Sequence, residues 1–333
     1  MKILFLCRLF YPHTGGVEKH VYEIGKRFVK NVDCVSVLTT KHDKELDSLG
    51  EIEGIKIIRF HQPAVKYFGL IYTWYWIFKN INYIKEHEII HIHDVFIWYL
   101  PFRLLLPHKK VFMTFHGQWG HYPISRMDKI LKILAEKLTL GSISIGEYIP
   151  ANYKIQTDCI SYGAATLPKS IAKKEKNTII YVGRLDKELT LDIFIEVFRK
   201  LKGFKIIFIG DGELRSKCEK IGKVYGFCDP SPFYKKAKYV FASGYLTIIE
   251  ALSNKCLVIT AYQNPLHRDY YKMTPFKEMI ICKSNATGIL KSFDYYRNNE
   301  KKSGELIEKG YNWAKHQTWK RMVNNYTELW HKL

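Results

Sequence analysis

Short apolar runs and amphipathic stretches alternate along the chain. "KILFLC" at 2–7 is almost unbroken in apolar character, the pattern of a parallel strand covered on both faces. In "VEKHVYEIGKRFVK" at 17–30, Val17, Val21, Ile24 and Phe28 recur at helical spacing and form one apolar stripe. The same reading predicts strands at 34–40, 55–60, 88–94, 110–117 and 142–146, and helical segments at 96–106 and 126–138. The lysine-rich, proline-containing segment "TLPKSIAKKEKN" at 166–177 interrupts the rhythm and reads as a linker. Beyond it come strands at 178–183, 204–210, 237–243 and 256–261, with helices at 191–201, from 213 and at 247–254. Two successive βα alternations predict an α/β protein of two doubly wound, Rossmann-like domains, 1–165 and 178–315. Ligands of such sheets sit beyond the carboxyl ends of the strands, so the expected site is a cleft between facing domains.

Composition narrows the partners. Hydrophobic residues make up 47% of the 333 positions, enough for two cores. The 52 basic and 32 acidic residues leave a formal charge of +20, which favours polyanions. No zinc-finger spacing, RNP-like aromatic signature or basic-region heptad is present, so a membrane surface or a phosphorylated substrate ranks above nucleic acid. The 7 cysteines are scattered without a C-x-x-C pair, as for reduced thiols in a cytoplasm. Arg8 breaks the opening apolar run before any cleavage site, so a core strand explains it better than a signal peptide. The longest uncharged apolar run, residues 67–78, falls well short of the ~20 residues of a spanning helix. The aromatic-rich segment 67–84 has two readings: a core helix of the first domain, or a patch dipping into the interface of an anionic membrane.

Five motifs could carry chemistry. "FYPHTGGVEKH" follows the first strand, and Gly15 and Gly16 there either expose amides to a phosphate at a helix N-terminus or simply make a turn. In "GRL", Gly183 and Arg184 follow a strand, and a guanidinium binds phosphate with a planar fork of donors. "GDG" places Gly210 and Asp211 at another strand end, either a close backbone approach beside the ligand cleft that would bind the donor together with Gly183, or an ordinary turn. In "ASGYLTIIEAL" the amides of Leu246 and Thr247 open a helix, and Glu250 is placed to accept hydrogen bonds from a ribose. In "TFHGQWG", His116 ends a core strand beside Gly117. His91 and His93 alternate on the preceding strand without a third metal ligand nearby, so they are read as structural or as lining the cleft.

In this order and spacing, "GGVE", "HIH", "FHG", "GRL", "GDG" and "IIEAL" resemble the retaining glycosyltransferases of family 4, with the GT-B fold. The closing "HQTWKRMVNNY" resembles that family's last helix, which implies that 316–333 packs back on the first domain. The resemblance implies a nucleotide-sugar donor held by the second domain, no catalytic metal and no cofactor, and a glycan or lipid-linked acceptor on the first domain. Carried over by position, Glu250 would grip the ribose. Arg184 and the Leu246 and Thr247 amides would neutralise the diphosphate, the Gly15-Gly16 loop would close over it, and His116 would sit near the sugar. The expected product is a transferred hexosyl unit in polysaccharide or glycolipid assembly, made by a cytoplasmic enzyme peripheral to a membrane.

The chain departs from that pattern at three places. Leu189 and Thr190 stand where the family has lysine and glycine, with Lys187 as the nearest substitute. Ala242 stands where an acid usually meets the donor sugar, and Tyr162 replaces an asparagine before Gly163. These departures keep two alternatives open: a catalytically degenerate nucleotide- or sugar-binding protein, and a GT-B sugar-nucleotide epimerase.

Overall fold

A computed structural model describes residues 1–117 and 122–332. The described residues divide into two compact units, one of 1–117, 123–161 and 322–332, the other of 122 and 162–321. The segment 166–177 lies in the second unit, and its last residues already belong to a strand.

The first unit is built on an eight-stranded sheet. Its strands are β1 (Lys2–Cys7), β2 (Cys34–Thr40), β3 (Leu49–Ile52), β4 (Ile55–Phe60), β5 (Ile89–His93), β6 (Lys110–Phe115), β7 (Ser142–Ile145) and β8 (Cys159–Ser161). They lie in the order β3-β4-β2-β1-β5-β6-β7-β8. Every pairing is parallel except β3 with β4. The sequence reading lacks that hairpin edge. Glu53 and Gly54, with φ of 47° and 80°, make the connection, and two positive values in a row are what a tight hairpin turn requires. The chain passes from β1 to one side of the sheet and then returns to lay β5 on the other. The switch point therefore falls between the carboxyl ends of β1 and β5.

The second unit has a six-stranded parallel sheet of β9 (Glu175–Val182), β10 (Lys205–Ile209), β11 (Lys223–Val224), β12 (Ala237–Ala242), β13 (Leu257–Ala261) and β14 (Ile281–Lys283). Its order, β11-β10-β9-β12-β13-β14, puts the switch point between β9 and β12. Their carboxyl ends are held by an aromatic core. Phe198 and Phe241 meet edge-on at 4.6 Å, and Phe194 and Phe241 at 5.2 Å. Such pairs each add about 0.5–1.5 kcal/mol beyond the area they bury. Rigid strand ends follow, and the loops leaving them inherit fixed starting points.

The segment 67–84 is not one helix. It forms Lys66–Lys79 and a short turn, Asn82–Lys85. Thr73 and Ile77 are buried against the unit, whereas Phe68, Ile71, Tyr75 and Phe78 face outward. No helix among the described residues is long and apolar enough to cross a membrane.

Candidate functional site

At the switch point of the second unit, three loops leave neighbouring strands. Gly183 and Arg184 follow β9. Gly183 has φ of 150°, and its N–H donates to the Ile209 carbonyl at 3.1 Å. Gly210 follows β10 with φ of 146°, and a Cβ there would fall 1.9 Å from the Gly183 carbonyl oxygen. Gly212, with φ of 155°, lies against the Asp186 carboxylate in the same way. The glycines of the "GDG" motif are thus demanded by two loops crossing, sealed by Leu185 N–H to Asp211 O at 2.9 Å and Leu214 N–H to Leu185 O at 2.8 Å. Gly210→Ala should cost more than ~2 kcal/mol of stability, because the clash is with backbone and the φ is nearly glycine-only. Chemical denaturation of the purified variant checks this, and an unchanged midpoint would contradict it.

Crossing these loops leaves Arg184 at the mouth of the switch point. It is 49% exposed, and its guanidinium pairs with Asp186 at 2.8 Å. Asp211 serves its own loop: it accepts from the Gly212 N–H at 2.9 Å and from Arg215 at 2.6 Å. Lys187 is exposed, in the turn Lys187–Leu189, and its backbone N–H donates to Glu213 at 3.1 Å. The Leu189 carbonyl is held by the Ser243 hydroxyl at 2.8 Å, which ties the β9 loop to the end of β12.

On the other side of the switch point Gly244 is the N-cap of the helix Tyr245–Ser253, with no side-chain cap. The Tyr245 N–H donates to the Tyr270 hydroxyl at 2.8 Å, and the two rings stack at 3.8 Å. Leu246 and Thr247 are the next residues, and helix geometry gives their amides no intrahelical acceptor. Helix N-termini with such amides favour anions. Glu250, one turn further, is partly buried, and the Tyr234 hydroxyl donates to its carboxylate at 3.3 Å. Ala242, where an acid would stand, is fully buried and brings no charge.

The first unit contributes a second group of functional side chains. The helix Gly16–Phe28 follows β1, with Gly15 as its extended N-cap. Glu18 folds back over this end: a Cβ on Gly15 would lie 2.3 Å from its carboxylate, which also meets the His13 ring at 3.1 Å. The loop therefore carries an acidic side chain at the very place where the sequence reading sets a phosphate. Space is open at Gly16.

His91 and His93 share one face of β5, both buried, and join a network that sequence reasoning missed. The Trp330 indole N–H donates to His91 Nδ1 at 3.0 Å. An indole nitrogen only donates, so this leaves the His91 proton on Nε2, which gives it to Thr114 at 2.7 Å. Thr114 meets the Tyr326 hydroxyl at 2.8 Å, and Tyr326 meets His20 at 2.8 Å. The histidines are within reach of motif reading; Tyr326 closes the "HQTWKRMVNNY" motif, but it and Trp330 beyond it come from the far end of the chain, and their pairing with these residues is not legible locally.

His116 stands at the open edge of this network. Its backbone N–H donates to both oxygens of Asp94, at 3.2 and 3.1 Å. Asp94 itself sits at φ of 60°, an arrangement that persists only where its surroundings hold it. Lys132 reaches the same carboxylate at 3.4 Å. The His116 Nε2 is 2.9 Å from His93 Nδ1, while His93 Nε2 is buried without a partner. A buried N–H without an acceptor is rarer and costlier than a bare lone pair, so the shared proton belongs to His93 Nδ1. That leaves the His116 proton on Nδ1. Burial, reinforced by Lys132, holds His116 down at about 3, so the ring is neutral near pH 7. Gln118, Trp119 and Gly120 of the same motif lie outside the described residues. Among the described residues no cluster of three or more metal-ligating side chains occurs.

Comparison with known proteins bears on the family and the fold. The model of Glycosyltransferase Family 4 matches residues 14–144, and that of Glycosyl transferases group 1 matches 165–313. The phosphatidylinositol N-acetylglucosaminyltransferase GPI3 subunit of Saccharomyces cerevisiae is 20% identical, over 98% of this chain and 83% of its own. An uncharacterized glycosyltransferase of Methanocaldococcus jannaschii is 23% identical, over 100% of this chain and 99% of its own. Among solved structures, sucrose-phosphate synthase of Thermosynechococcus elongatus superposes with a TM-score of 0.79 at 13% identity, covering 99% of this chain and 98% of that one. HepE of Anabaena, in complex with UDP and glucose, superposes with a TM-score of 0.75 at 14% identity over 100% of both chains. Two parallel-sheet units, two family models that together span most of the chain and these structural likenesses lead to one assignment: the chain belongs to the family 4-type glycosyltransferases of GT-B fold.

Proposed function

We propose that this glycosyltransferase moves a hexosyl unit from a nucleotide-sugar donor to a lipid-linked or other membrane-proximal glycan acceptor, with retention of anomeric configuration. The observation that carries the donor reading is the switch point of the second unit. There Arg184, with an exposed guanidinium, follows β9, and Leu246 and Thr247 open the helix that follows the adjacent β12, with Glu250 one turn further along it. A diphosphate at that place meets a bidentate cation and a helix N-terminus, and a ribose beyond it meets a carboxylate. HepE, a structural neighbour, was solved with UDP-glucose, which supports a nucleotide sugar as donor.

In the transfer, the bond from the anomeric carbon to the phosphate oxygen breaks with its electron pair going to the diphosphate. The acceptor hydroxyl oxygen forms the new bond to the anomeric carbon, and its proton passes to the departing diphosphate. Charge grows on the departing phosphate, so a fixed cation and fixed amides stabilise the transition state more than the bound donor. Asp186 aligns the Arg184 fork in the absence of ligand. Lys187 is the nearest further cation on the same loop. His116, neutral with its proton on Nδ1, can donate a hydrogen bond from that atom and takes no part as an acid. The acceptor reading is supported by the yeast relative, a phosphatidylinositol N-acetylglucosaminyltransferase subunit.

Incubation with UDP-, GDP- and ADP-sugars, with detection of freed nucleoside diphosphate, tests the donor assignment. Release from one of them, with an α-linked product from an α-linked donor by NMR, is expected. Tight nucleotide binding without turnover would favour the degenerate reading, which Leu189 and Ala242 motivate.

A further inference from the structure

The carboxyl ends of β1, β2 and β4 surround a pocket of about 710 Å³ in the first unit. Arg8, Lys41 and His42 stand around it, Leu70, Ile97 and Trp98 supply apolar lining, and no carboxylate lines it. Among the described residues neither Arg8 nor Lys41 is drawn into an ion pair. Strand ends of a doubly wound sheet are where ligands bind, and a cavity whose only charges are unpaired cations selects an anion.

The wall of this pocket is the first turn of the helix Lys66–Lys79, through Gly69 and Leu70. The outward face of the same helix carries Phe68, Ile71, Tyr75 and Phe78 at 57, 58, 56 and 61% exposure. Their spacing of three, four and three residues makes one stripe. Leu104 and Leu105, at 75 and 60% exposure, end the adjoining helix Phe96–Leu105. A contiguous apolar surface of this kind on a soluble unit marks a binding face. Exposed Lys79 and a chain charge of +20 accompany it.

The pocket by itself would suit a free phosphate compound, and the stripe by itself any apolar partner. One helix carries both, so the two belong to one ligand. We propose that this face seats on an anionic bilayer, the stripe entering the acyl boundary while the pocket takes the phosphate-bearing headgroup of a lipid acceptor. The identification of that lipid as acceptor rests on the transferase reading above; the docking itself does not. Tyr and Phe on the outward face of a short helix lie well at the interface, and basic residues near it add attraction that salt screens.

The test is flotation of the full chain with phosphatidylcholine vesicles, with and without one-third phosphatidylglycerol, at about 0.1 M salt. The wild type should float with the anionic vesicles and much less with the neutral ones. The double variant Arg8→Ala/Lys41→Ala should lose roughly tenfold or more in partitioning to anionic vesicles. Ile71→Ser/Phe78→Ser should lose binding as well, and since both side chains are exposed its thermal melt should match the wild type. Wild-type binding by the Arg8→Ala/Lys41→Ala variant overturns the headgroup pocket. Absence of flotation combined with saturable binding of glycerol phosphate identifies a soluble phosphate ligand and overturns the lipid. A wild-type dimer that Ile71→Ser/Phe78→Ser makes monomeric, with flotation unchanged, makes the stripe a contact between copies and also overturns the proposal. No outcome depends on turnover, so failure of the nucleotide-release assay and failure of this docking are separately visible.

Discussion

Arg184→Ala should lower kcat by ~10²–10³-fold while the protein folds as before. A preorganised donor removed from a developing oxyanion costs about that much in rate. Stability should scarcely change, because Arg184 is half exposed and its one ion pair, with Asp186, is at the surface. Exposed pairs contribute ~0–1 kcal/mol, so the melting temperature should move by less than about 3 °C. Arg184→Lys should recover only part of the rate, since an ammonium restores charge without the planar fork. Glu250→Ala should act differently, weakening nucleotide affinity through lost ribose hydrogen bonds. Steady-state kinetics beside thermal melts of the variants separate these effects. An Arg184→Ala enzyme with wild-type kcat would remove the diphosphate from this loop.

The second large effect is on acid stability. His20, His91 and His93 are buried in the first unit, and burial, joined by the charge of neighbouring histidines, lowers all three well below the usual histidine range. The bonding gives the same answer for His91, because a proton added at Nδ1 would confront the Trp330 N–H. The unfolded chain takes up protons on these side chains below about pH 6.5, and the folded chain does not. Stability is therefore full above that pH and falls as pH drops towards the depressed folded values. Each histidine contributes a slope of about 1.4 kcal/mol per pH unit, so three give ~4 kcal/mol per unit. Against a total of roughly 5–15 kcal/mol, the first unit should be largely lost near pH 5. Denaturant titrations at pH 7.5, 6 and 5, followed by tryptophan fluorescence, measure this; Trp330 lies within the network. The loss should persist at high salt, which separates it from repulsion among the basic residues. Equal midpoints at pH 7.5 and 5 would contradict the network as described.

The parts of this protein legible in its sequence are those set by short-range pattern. Strands covered on both faces read as apolar runs, so β1, β5, β10 and β13 stand out, and Gly183 after β9 and Gly210 after β10 mark two of the loops. The hairpin of β3 and β4 is harder, because β3 is an exposed edge with few apolar residues, although the Glu53-Gly54 turn signals it. The helix Lys66–Lys79 is apolar on both faces in sequence, and only tertiary covering distinguishes buried Ile77 from exposed Phe78. Gly210 looks like a ligand-binding glycine, yet its necessity comes from the Gly183 carbonyl, a contact between separate loops. Asp211, which the motif reading places with the donor, is occupied by Arg215 and its own turn. His116 is readable as a strand-end histidine. Its tautomer is not, because it depends on His93 and, behind it, on partners brought by the last helix.

The claim that organises all of this is that a nucleoside diphosphate binds at the switch point of the second unit, between β9 and β12. A crystal structure with the nucleoside diphosphate that the release assay selects tests it most directly. Phosphate oxygens should lie within hydrogen-bond distance of the Arg184 guanidinium and the Leu246 and Thr247 amides, with the ribose hydroxyls on Glu250. A nucleotide bound elsewhere, with Arg184 still paired to Asp186 and turned to solvent, would contradict it.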